Sequence, residues 1–380
     1  RASAMASSDD AKTKTPVIVA LDWTPNGNHL GFYVALDAGV YADAGLDVRL
    51  VSPSDADYKG SYHTPSDDAT ASDATATATP YVTPCSKVAA GDAHFAINSP
   101  EGVLGWNTAD GRPRLKAVAA LLHDRNTSAI VTLRSSGKAS PADLDGATYA
   151  SYAARFEGRI VREIIRHAGG KGDFREVTPP MLGVFETLVK GDADATWIFK
   201  QWEGVEAVLE GIDLNVFTLL DNGVPYAYNP CLCAHPEWLR ANAATARAFL
   251  EATAEGYRRA ADDPGAAADA LLRLAKKHHP EVKIGVHQAH ASADYLATRF
   301  LDPETKAWGR MEARVWDEYV RWLWDRGLLT TGLNSRHPDG GATFSLDDLR
   351  DGKAGERIDL ESVPTVFTNE YLPPLSSSSS

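Results

Sequence analysis

Short apolar runs alternate with longer amphipathic stretches along most of this chain, and that alternation constrains its fold more than any other feature. A short apolar run between turn residues is typical of a buried strand, whereas apolar spacings of three and four are typical of a helix. Alternating strands and helices favour a mostly parallel sheet with helices on both faces, so the expected fold class is α/β. The predicted strands are 17–21, 46–51, 94–97, 115–121, 129–133 and 148–152. The predicted helices are 31–44, 100–108, 141–144, 157–168, 183–190, 201–210, 243–261, 265–278, 285–297 and 306–326.

The length of the chain predicts two lobes. Its 380 residues exceed the roughly 100–200 residues of a typical domain. We expect lobe 1 at 16–128, lobe 2 at 129–223, and a return to lobe 1 with a helical C-terminal part at 224–375. Outside this scheme lie a disordered arm at 1–15, a low-complexity insertion at 66–79 and a flexible tail at 376–380. The two crossings between the lobes would flank a central cleft.

Charge and hydropathy exclude several classes of partner. A net charge of −13 disfavours nucleic acid, which binds basic surfaces, and equally disfavours a polybasic membrane anchor. No apolar stretch approaches the roughly 20 residues that cross a bilayer. The expected partner is therefore a small molecule. The compartment stays open between the cytoplasm and secretion after removal of a leader.

The first candidate site is the segment LDWTPNGNHLGFYVA at 21–35, which follows a predicted strand and opens a helix. Trp23 offers a flat ring face, and Asn26 offers a donor and an acceptor to the edge of a heteroaromatic ring. His29 and Tyr33 follow on the same segment. His29 is near Asp22, but no Ser or Cys nucleophile stands beside them, so no catalytic residue is predicted. An ordinary strand-to-helix turn explains these residues equally well.

Two further segments repeat the pattern of strand, polar turn and helix. Asn98 and Ser99 follow the strand predicted at 94–97, although Ser99 is also a good helix cap before Pro100. Glu203 could accept hydrogen bonds from an exocyclic amine, or simply be a carboxylate favoured in the first turn of a helix. Tyr226 and Tyr228 alternate near the second expected crossing.

An anion site and a metal site are weaker candidates. Arg155 and Arg159 flank small residues at a predicted helix N-terminus, which suits a phosphate or carboxylate, but the spacing is not that of a P-loop. Cys231 and Cys233 would point to the same face of a strand. The usual four-ligand zinc pattern is absent, so no metal is expected there. Residues alone therefore predict a two-lobed binder of a small polar aromatic ligand.

Several of these segments also carry a resemblance to a known family. The chain resembles the family that joins fungal hydroxymethylpyrimidine phosphate synthases of thiamine biosynthesis with bacterial formylaminopyrimidine-binding proteins (SsuA/THI5-like). The resemblance spans about 17–264 and resumes at 367–374. It is carried by LDWTPNGNHLGFYVALDAGVYADAGLDV, SKVAAGDAHFAINSPEGV, GDADATWIFKQWEGVEAVLEG, VPYAYNPCLCAHPEWL, FLEATAEGYRRAADDP and FTNEYLPP.

The resemblance implies a type II periplasmic-binding-protein fold, with two α/β lobes around a ligand cleft. It also implies that Trp23, Asn26, His29 and Glu203 line a pyrimidine pocket, with Tyr226 and Tyr228 beside them. The stretch 152–167 looks like the loop that holds a phosphate in the synthases. Its central residues 154–158 differ from the synthase sequence, which weakens the phosphate inference.

Two departures bear on catalysis. The synthases bind pyridoxal phosphate through a lysine and consume a histidine, and this chain has Asn98 and Gly102 at those positions. Their cysteine-rich run, thought to hold iron, is reduced to Cys231 and Cys233. Lys59 and His63 have a suggestive spacing but lie off the alignment.

The expected function is non-catalytic binding of a thiamine-related aminopyrimidine, without a cofactor, by lobes that close on a hinge. The alternative is a divergent synthase that uses pyridoxal phosphate and iron. Another ligand, such as a flavin or a sulfonate, is a third reading, because the fold hosts many ligands. The sequence leaves a transporter partner and the oligomeric state open.

Overall fold

The computed structural model describes residues 14–55, 58, 82–109, 111–179, 183–332 and 344–375. Most of the predicted arm, the insertion at 66–79, the tail at 376–380 and the pair Lys59 and His63 lie outside the described residues.

The described strands form two five-stranded sheets. The strands are β1 (Thr15–Ala20), β2 (Leu46–Val51), β3 (Phe95–Asn98), β4 (Lys116–Ala120), β5 (Ser128–Leu133), β6 (Thr148–Ala150), β7 (Arg175–Val177), β8 (Ala195–Phe199), β9 (Leu214–Thr218) and β10 (Cys231–Ala234). The first sheet has the order β2-β1-β3-β10-β4, and the second has the order β7-β6-β8-β5-β9. The chain thus crosses to the second sheet at β5 and returns to the first at β10.

Both sheets are mixed, but in each of them four strands run in one direction and one runs the opposite way, which agrees with the expectation of mostly parallel strands. In the first sheet β1 pairs in parallel with β2 and β3, but β10 runs antiparallel to β3 and β4. In the second sheet β6 pairs in parallel with β7 and β8, but β5 runs antiparallel to β8 and β9. The antiparallel strands are the two that follow a crossing. A strand that enters a sheet directly from the other one, without a βα unit, is free to run in the opposite direction.

Most of the predicted helices are present, whereas those at 84–90, 236–241 and 346–351 were not predicted and 141–144 forms only a short 3-10 turn. The described α-helices are α1 (Leu30–Asp37), α2 (Val40–Asp43), α3 (Pro84–Ala90), α4 (Pro100–Thr108), α5 (Glu157–His167), α6 (Val184–Val189), α7 (Glu203–Glu210), α8 (Pro236–Ala241), α9 (Ala243–Asp262), α10 (Pro264–His278), α11 (Val286–Ala297), α12 (Ala313–Asp325) and α13 (Leu346–Asp351). The helix predicted at 31–44 is divided by Gly39, whose φ of 73° is left-handed. The helix predicted at 306–326 begins only at Ala313. None of the described helices is both long and apolar enough to cross a membrane.

Close packing of α1 against α9 fixes the segment that follows β1. A Cβ atom on Gly31 would lie 2.2 Å from the ring of Tyr257, and one on Gly256 would lie 2.1 Å from the Gly31 carbonyl oxygen. Only glycine permits this approach. The Tyr257 hydroxyl then donates to the carbonyl of Asn28 at 2.7 Å, so the helix pair holds the loop directly.

Part of the C-terminal segment packs on the second sheet, whereas the sequence places all of 224–375 with lobe 1. Arg350 of α13 forms a 2.7 Å ion pair with Glu176 of β7. Asp351 pairs with Arg162 of α5 at 2.8 Å. These partners are far apart in sequence, so local patterns carry no signal for them.

Candidate functional site

A cavity of about 180 Å³ lies where the carboxyl ends of strands from the two sheets face each other. Side chains after β1 and β3 form one wall, and side chains after β6 and β8 form the other. Tyr226 and Asn229, on the return crossing, complete it. A larger outer cavity of about 510 Å³ shares Trp23, Tyr152, Trp202 and Glu203 with it. The inner cavity is therefore reached through an aromatic and acidic opening.

The loop after β1 contributes Asp22, Trp23, Asn26 and Asn28 to the cavity. His29 is fully buried behind them and does not line it. Its Nδ1 accepts from the backbone of Asn26 at 3.2 Å, so its Nε2 carries the proton that faces Asp22 at 3.0 Å. The structure thus places His29 as a support for Asp22, one layer away from a ligand.

Asn26 lies in the cavity wall, but much of its amide is engaged by the backbone. Its Oδ1 accepts from Asn28 N at 2.9 Å, and its Nδ2 donates to Thr24 O at 2.9 Å. It caps the short turn Gly27–His29 in a reciprocal capping box with His29. Asn26 therefore caps this turn and also lines the cavity.

The turn after β3 contributes Asn98, Ser99 and Glu101. Ser99 caps α4 by accepting from Gly102 N at 3.0 Å. Asn98 donates from Nδ2 to Cys85 Sγ at 3.0 Å and accepts from Ser99 N at 2.8 Å. A Cβ atom at Gly102 would lie 2.0 Å from Asn98 Oδ1, so no larger side chain fits there beside Asn98.

Aromatic rings from both sides enclose the cavity. Trp23 meets Tyr152 edge-on across it, with ring centroids 5.9 Å apart. Trp197 of β8 meets Tyr226 in the same manner at 5.6 Å. Trp202 also lines the cavity, immediately before α7. These five rings come from the two walls and the return crossing, so a planar ligand between them would contact both sheets.

Three buried glutamates line the cavity, and burial raises the pKa of each carboxyl group. Burial raises the pKa of Glu203 to about 7, against the lowering effect of Phe199 N, which donates to it at 2.9 Å. Burial likewise raises the pKa of Glu157 to about 7. Burial also raises the pKa of Glu101, whose oxygens accept from Tyr226 Oη at 2.8 Å and Phe156 N at 3.2 Å.

The charge of the lining is one-sided. Of the residues that the structure describes, those lining the cavity include Asp22, Glu101, Glu157 and Glu203 but no Lys, Arg or His. The same described lining offers no lysine amine for a Schiff base with pyridoxal phosphate. The arrangement is suited to hydrogen-bond donors and to cationic groups.

The structure separates Tyr33 and Tyr228 from this cavity. Tyr33 is buried on the far side of α1, where its ring meets His279 edge-on and lines a different cavity. Tyr228 lines a third cavity, and its hydroxyl accepts from Glu312 N at 3.0 Å. Residue order along the chain places each tyrosine near the site, but its orientation on the helix or crossing segment turns it away.

The predicted anion site is occupied by the protein itself. Arg155 is buried, donating from Nε to Gly332 O at 3.0 Å and from Nη2 to Thr330 Oγ1. Arg159 lies 2.8 Å from Glu163 and donates to Arg350 O at 3.1 Å. Both guanidinium groups tie α5 to the C-terminal segment and lie outside the cavity lining, which corrects the prediction.

The three cysteines are buried together behind Asn98. Cys231 and Cys233 share one face of β10, as the alternation of a strand predicts, and Cys233 Sγ lies 4.0 Å from Cys85 Sγ. Cys231 Sγ is 3.4 Å from the Asn98 carbonyl oxygen. All three are free cysteines, and burial is the largest cause that raises the pKa of the Cys231 thiol. A buried thiol of raised pKa is a poor nucleophile, so the contribution of Cys231 here is to packing.

Sequence reasoning missed several cavity residues, among them Glu101, Tyr152, Glu157 and Trp197. Glu101 and Glu157 stand in the first turns of α4 and α5, where an acidic residue is expected for helix stability alone. A signal was available in their position, since each follows a strand whose carboxyl end faces the cavity. Their position predicts a cavity residue only once the two sheets are known to face each other.

A family model described as NMT1/THI5 like matches residues 26–61 and 74–267. The chain belongs to the NMT1/THI5-like family. The match contains the cavity residues from Asn26 to Pro230, whereas Asp22 and Trp23 lie just before it. A curated relative in this comparison is the formylaminopyrimidine-binding protein of Halalkalibacterium halodurans. It is 26% identical over 324 residues, which cover 83% of this chain and 86% of that protein.

Solved structures show that this NMT1/THI5-like chain has a periplasmic-binding-protein-like fold. The alkanesulfonate-binding protein SsuA from Xanthomonas axonopodis pv. citri, bound to MOPS, has a TM-score of 0.58 at 11% identity, covering 84% of this chain and 96% of its own. The periplasmic aliphatic sulphonate binding protein SsuA from Escherichia coli has a TM-score of 0.57 at 14% identity, covering 83% and 94%. The nitrate-binding protein NrtA from Synechocystis has a TM-score of 0.53 at 13% identity, covering 81% and 82%.

Proposed function

We propose that this protein binds a small heteroaromatic ligand, a thiamine-related aminopyrimidine, in the cavity between its two sheets. The observation that carries the proposal is the combination of facing aromatic rings with buried carboxyl groups at one small site. A volume of about 180 Å³ is suited to a single substituted ring. Larger ligands occupy pockets of roughly 300–1,000 Å³.

The rings supply contact area and the carboxyl groups supply recognition. Trp23, Tyr152 and Trp202 are placed to cover the faces of a planar ring, an arrangement worth about 1 kcal/mol per aromatic pair beyond burial. Glu203 has a pKa of about 7, so its carboxyl group can serve as donor and acceptor near neutral pH. An aminopyrimidine presents the complementary pair, an exocyclic N–H beside a ring nitrogen.

The curated relative supports an aminopyrimidine ligand, whereas the structural neighbours are named for other ligands. The curated relative is named for binding formylaminopyrimidine, and the cavity residues from Asn26 to Pro230 lie within the family match. The structural neighbours are named for binding sulfonates and nitrate, which are anions. The described lining of the present cavity holds acidic and no basic side chains, which favours the aminopyrimidine.

Ligand binding would draw the two walls together by a hinge at the crossings. The segments before β5 and before β10 touch each other: Asn229 Nδ2 donates to Ser128 Oγ at 2.9 Å, and Arg125 Nη1 donates to Tyr226 O at 3.0 Å. A paired hinge of this kind allows rotation of one sheet against the other. Tyr226 and Asn229 would then carry the movement into the cavity.

Isothermal titration with hydroxymethylpyrimidine tests the proposal. We expect saturable binding that weakens about tenfold in Trp23→Ala and in Glu203→Gln. The first variant removes a stacking face, and the second cannot form the charge-assisted hydrogen bond that the ionised form of Glu203 makes with an exocyclic N–H. Tyr33→Phe is the matched control, since its hydroxyl is buried outside this cavity and has no hydrogen-bond partner among the described residues. No heat with any aminopyrimidine, from protein shown to be folded, would overturn the proposal.

A further inference from the structure

The turn that precedes α5 points two backbone amides at a carboxyl group that the chain itself supplies. Ala154 N donates to one oxygen of Glu157 at 3.0 Å, and Tyr152 N donates to the other at 3.2 Å. Tyr149 Oη donates to that second oxygen at 2.6 Å. Glu157 is only 2% exposed, so these donors take the place of solvent around its carboxyl group.

The backbone conformation of this turn brings the two amides together. Ala153 has a φ of 57°, in the left-handed region that non-glycine residues rarely adopt. A left-handed residue between two others turns successive N–H groups toward one point, which is how such turns bind anions. The Ala153 amide itself donates to Ser151 Oγ at 2.8 Å, leaving the amides on either side to converge on Glu157.

A second glutamate accepts a further amide at the same helix end. Glu101 of α4 accepts from Phe156 N at 3.2 Å, across the gap between the two sheets. No side chain caps α5 from the N-cap position. The turn in front of α5, whose amides would otherwise be available to a phosphate or sulfonate, is thus occupied by two internal acids.

We propose that Glu157 is the specificity-determining residue that makes the cavity reject anionic ligands, so that the protein takes an aminopyrimidine alcohol and excludes its phosphate ester. This inference rests on the proposed function. Glu157 acts in two ways: it occupies the backbone amides of Tyr152 and Ala154 that a phosphate would need, and its carboxyl group, when ionised, repels a second anion. The substrate class is therefore uncharged or cationic rings without phosphate or sulfonate groups.

Isothermal titration with hydroxymethylpyrimidine and its phosphate monoester tests the inference. We expect the wild type to bind the ester about 100-fold more weakly than the alcohol. Glu157→Ala and the size-conserving Glu157→Gln should reduce the ratio of the two dissociation constants by about tenfold. The reason is that a backbone amide of Tyr152 or Ala154 then becomes available to the ester. Glu157→Gln keeps the measurement usable if the alanine variant does not fold.

Glu203→Gln is the matched charge control, because it removes an acid from the same cavity without exposing the amides of α5. We expect it to weaken both ligands and to leave the ratio between them unchanged. An equal gain in ester binding by Glu203→Gln would show that net charge alone sets the preference. An unchanged ratio in both Glu157 variants would overturn the inference while the proposed function stands.

Inorganic phosphate gives a readout that does not depend on the pyrimidine. Phosphate should raise the Tm of Glu157→Ala or Glu157→Gln by several degrees and leave the wild type unmoved, since binding to the native state stabilises it. Absence of this shift in both variants would count against the inference that Glu157 occupies amides able to bind an anion. If neither pyrimidine binds the wild type but phosphate stabilises the variants, the proposed function fails and the role of Glu157 in excluding anions remains supported.

Discussion

The two strand-to-helix turns that meet at the cavity satisfy their helix amides in different ways. After β3, Ser99 caps α4 with its own hydroxyl, and Pro100 occupies the first helical position. After β6, the backbone amides of Ala154 and Phe156, in the turn before α5, donate to the carboxyl groups of Glu157 and Glu101. The first solution is local and neutral, whereas the second buries acid inside the cavity. The two turns therefore place different groups at the cavity: a neutral hydroxyl after β3 and buried carboxyl groups after β6.

The turn before α5, called the acidic turn because its amides donate to Glu157 and Glu101, should make the ligand-free protein less stable as pH rises. Glu157 keeps its proton in the native state up to about pH 7, whereas an exposed glutamate loses it near 4.5. The native state therefore binds more protons than the unfolded state in that window, and the free energy of unfolding falls as pH rises through it, by at most about 3 kcal/mol for this group. Burial is the main cause, and Glu176 and Glu101 add to it.

Urea denaturation across this pH window measures the effect. Glu157→Gln should lose its share of the pH dependence, because glutamine does not titrate. Ser99→Ala, on the neutral turn, should keep the wild-type dependence. Identical pH profiles for the wild type and Glu157→Gln would break the proposed contrast between the two turns.

On the neutral turn, Gly102→Ala should be the most disruptive small change. The new methyl group would lie 2.0 Å from Asn98 Oδ1, so Asn98 must leave its contacts with Ser99 N and Cys85. We expect a loss of about 2 kcal/mol, within the range that overpacking costs. Gly204→Ala on α7 is the control, since its new methyl group meets nothing closer than 3.5 Å. Equal stabilities in urea would show that the turn accommodates the added atom.

Ser99→Ala sharpens the comparison by removing the neutral cap. Its hydroxyl accepts one amide, and loss of such a cap costs about 1 kcal/mol. Thermal unfolding should register this loss at every pH. A cost that grows with pH would instead link Ser99 to the acidic turn.

Tyr149→Phe should have the smallest effect on stability. It removes one of three donors to Glu157, a loss of roughly 0.5–1 kcal/mol when the carboxyl group is protonated. The pKa of Glu157 should then rise further, since the hydroxyl favours the ionised form. The pH profile of unfolding would move to higher pH, and an unmoved profile would show that the amides alone hold the carboxylate.

Local sequence patterns predicted the elements well because each is set by neighbouring residues. The strand at 46–51 and the helix at 100–108 lie where periodicity and capping place them. The strands at 175–177 and 214–218 were missed, since three to five partly exposed residues show little periodicity. The direction of β5 and β10 was also missed, because it depends on where a crossing enters a sheet.

The sequence by itself determined the α/β fold, the family and the polar turns that follow β1, β3 and β8, because these depend on periodicity, capping and residue order. Only the tertiary structure decided which side chains from those turns share a cavity. It places Glu157 and Glu101 inside, leaves Tyr33 and Tyr228 on other faces, and commits Arg155 to a segment far along the chain. The physical reason is that the burial and the partners of a side chain depend on contacts between residues far apart in sequence, and residue spacing does not predict those contacts.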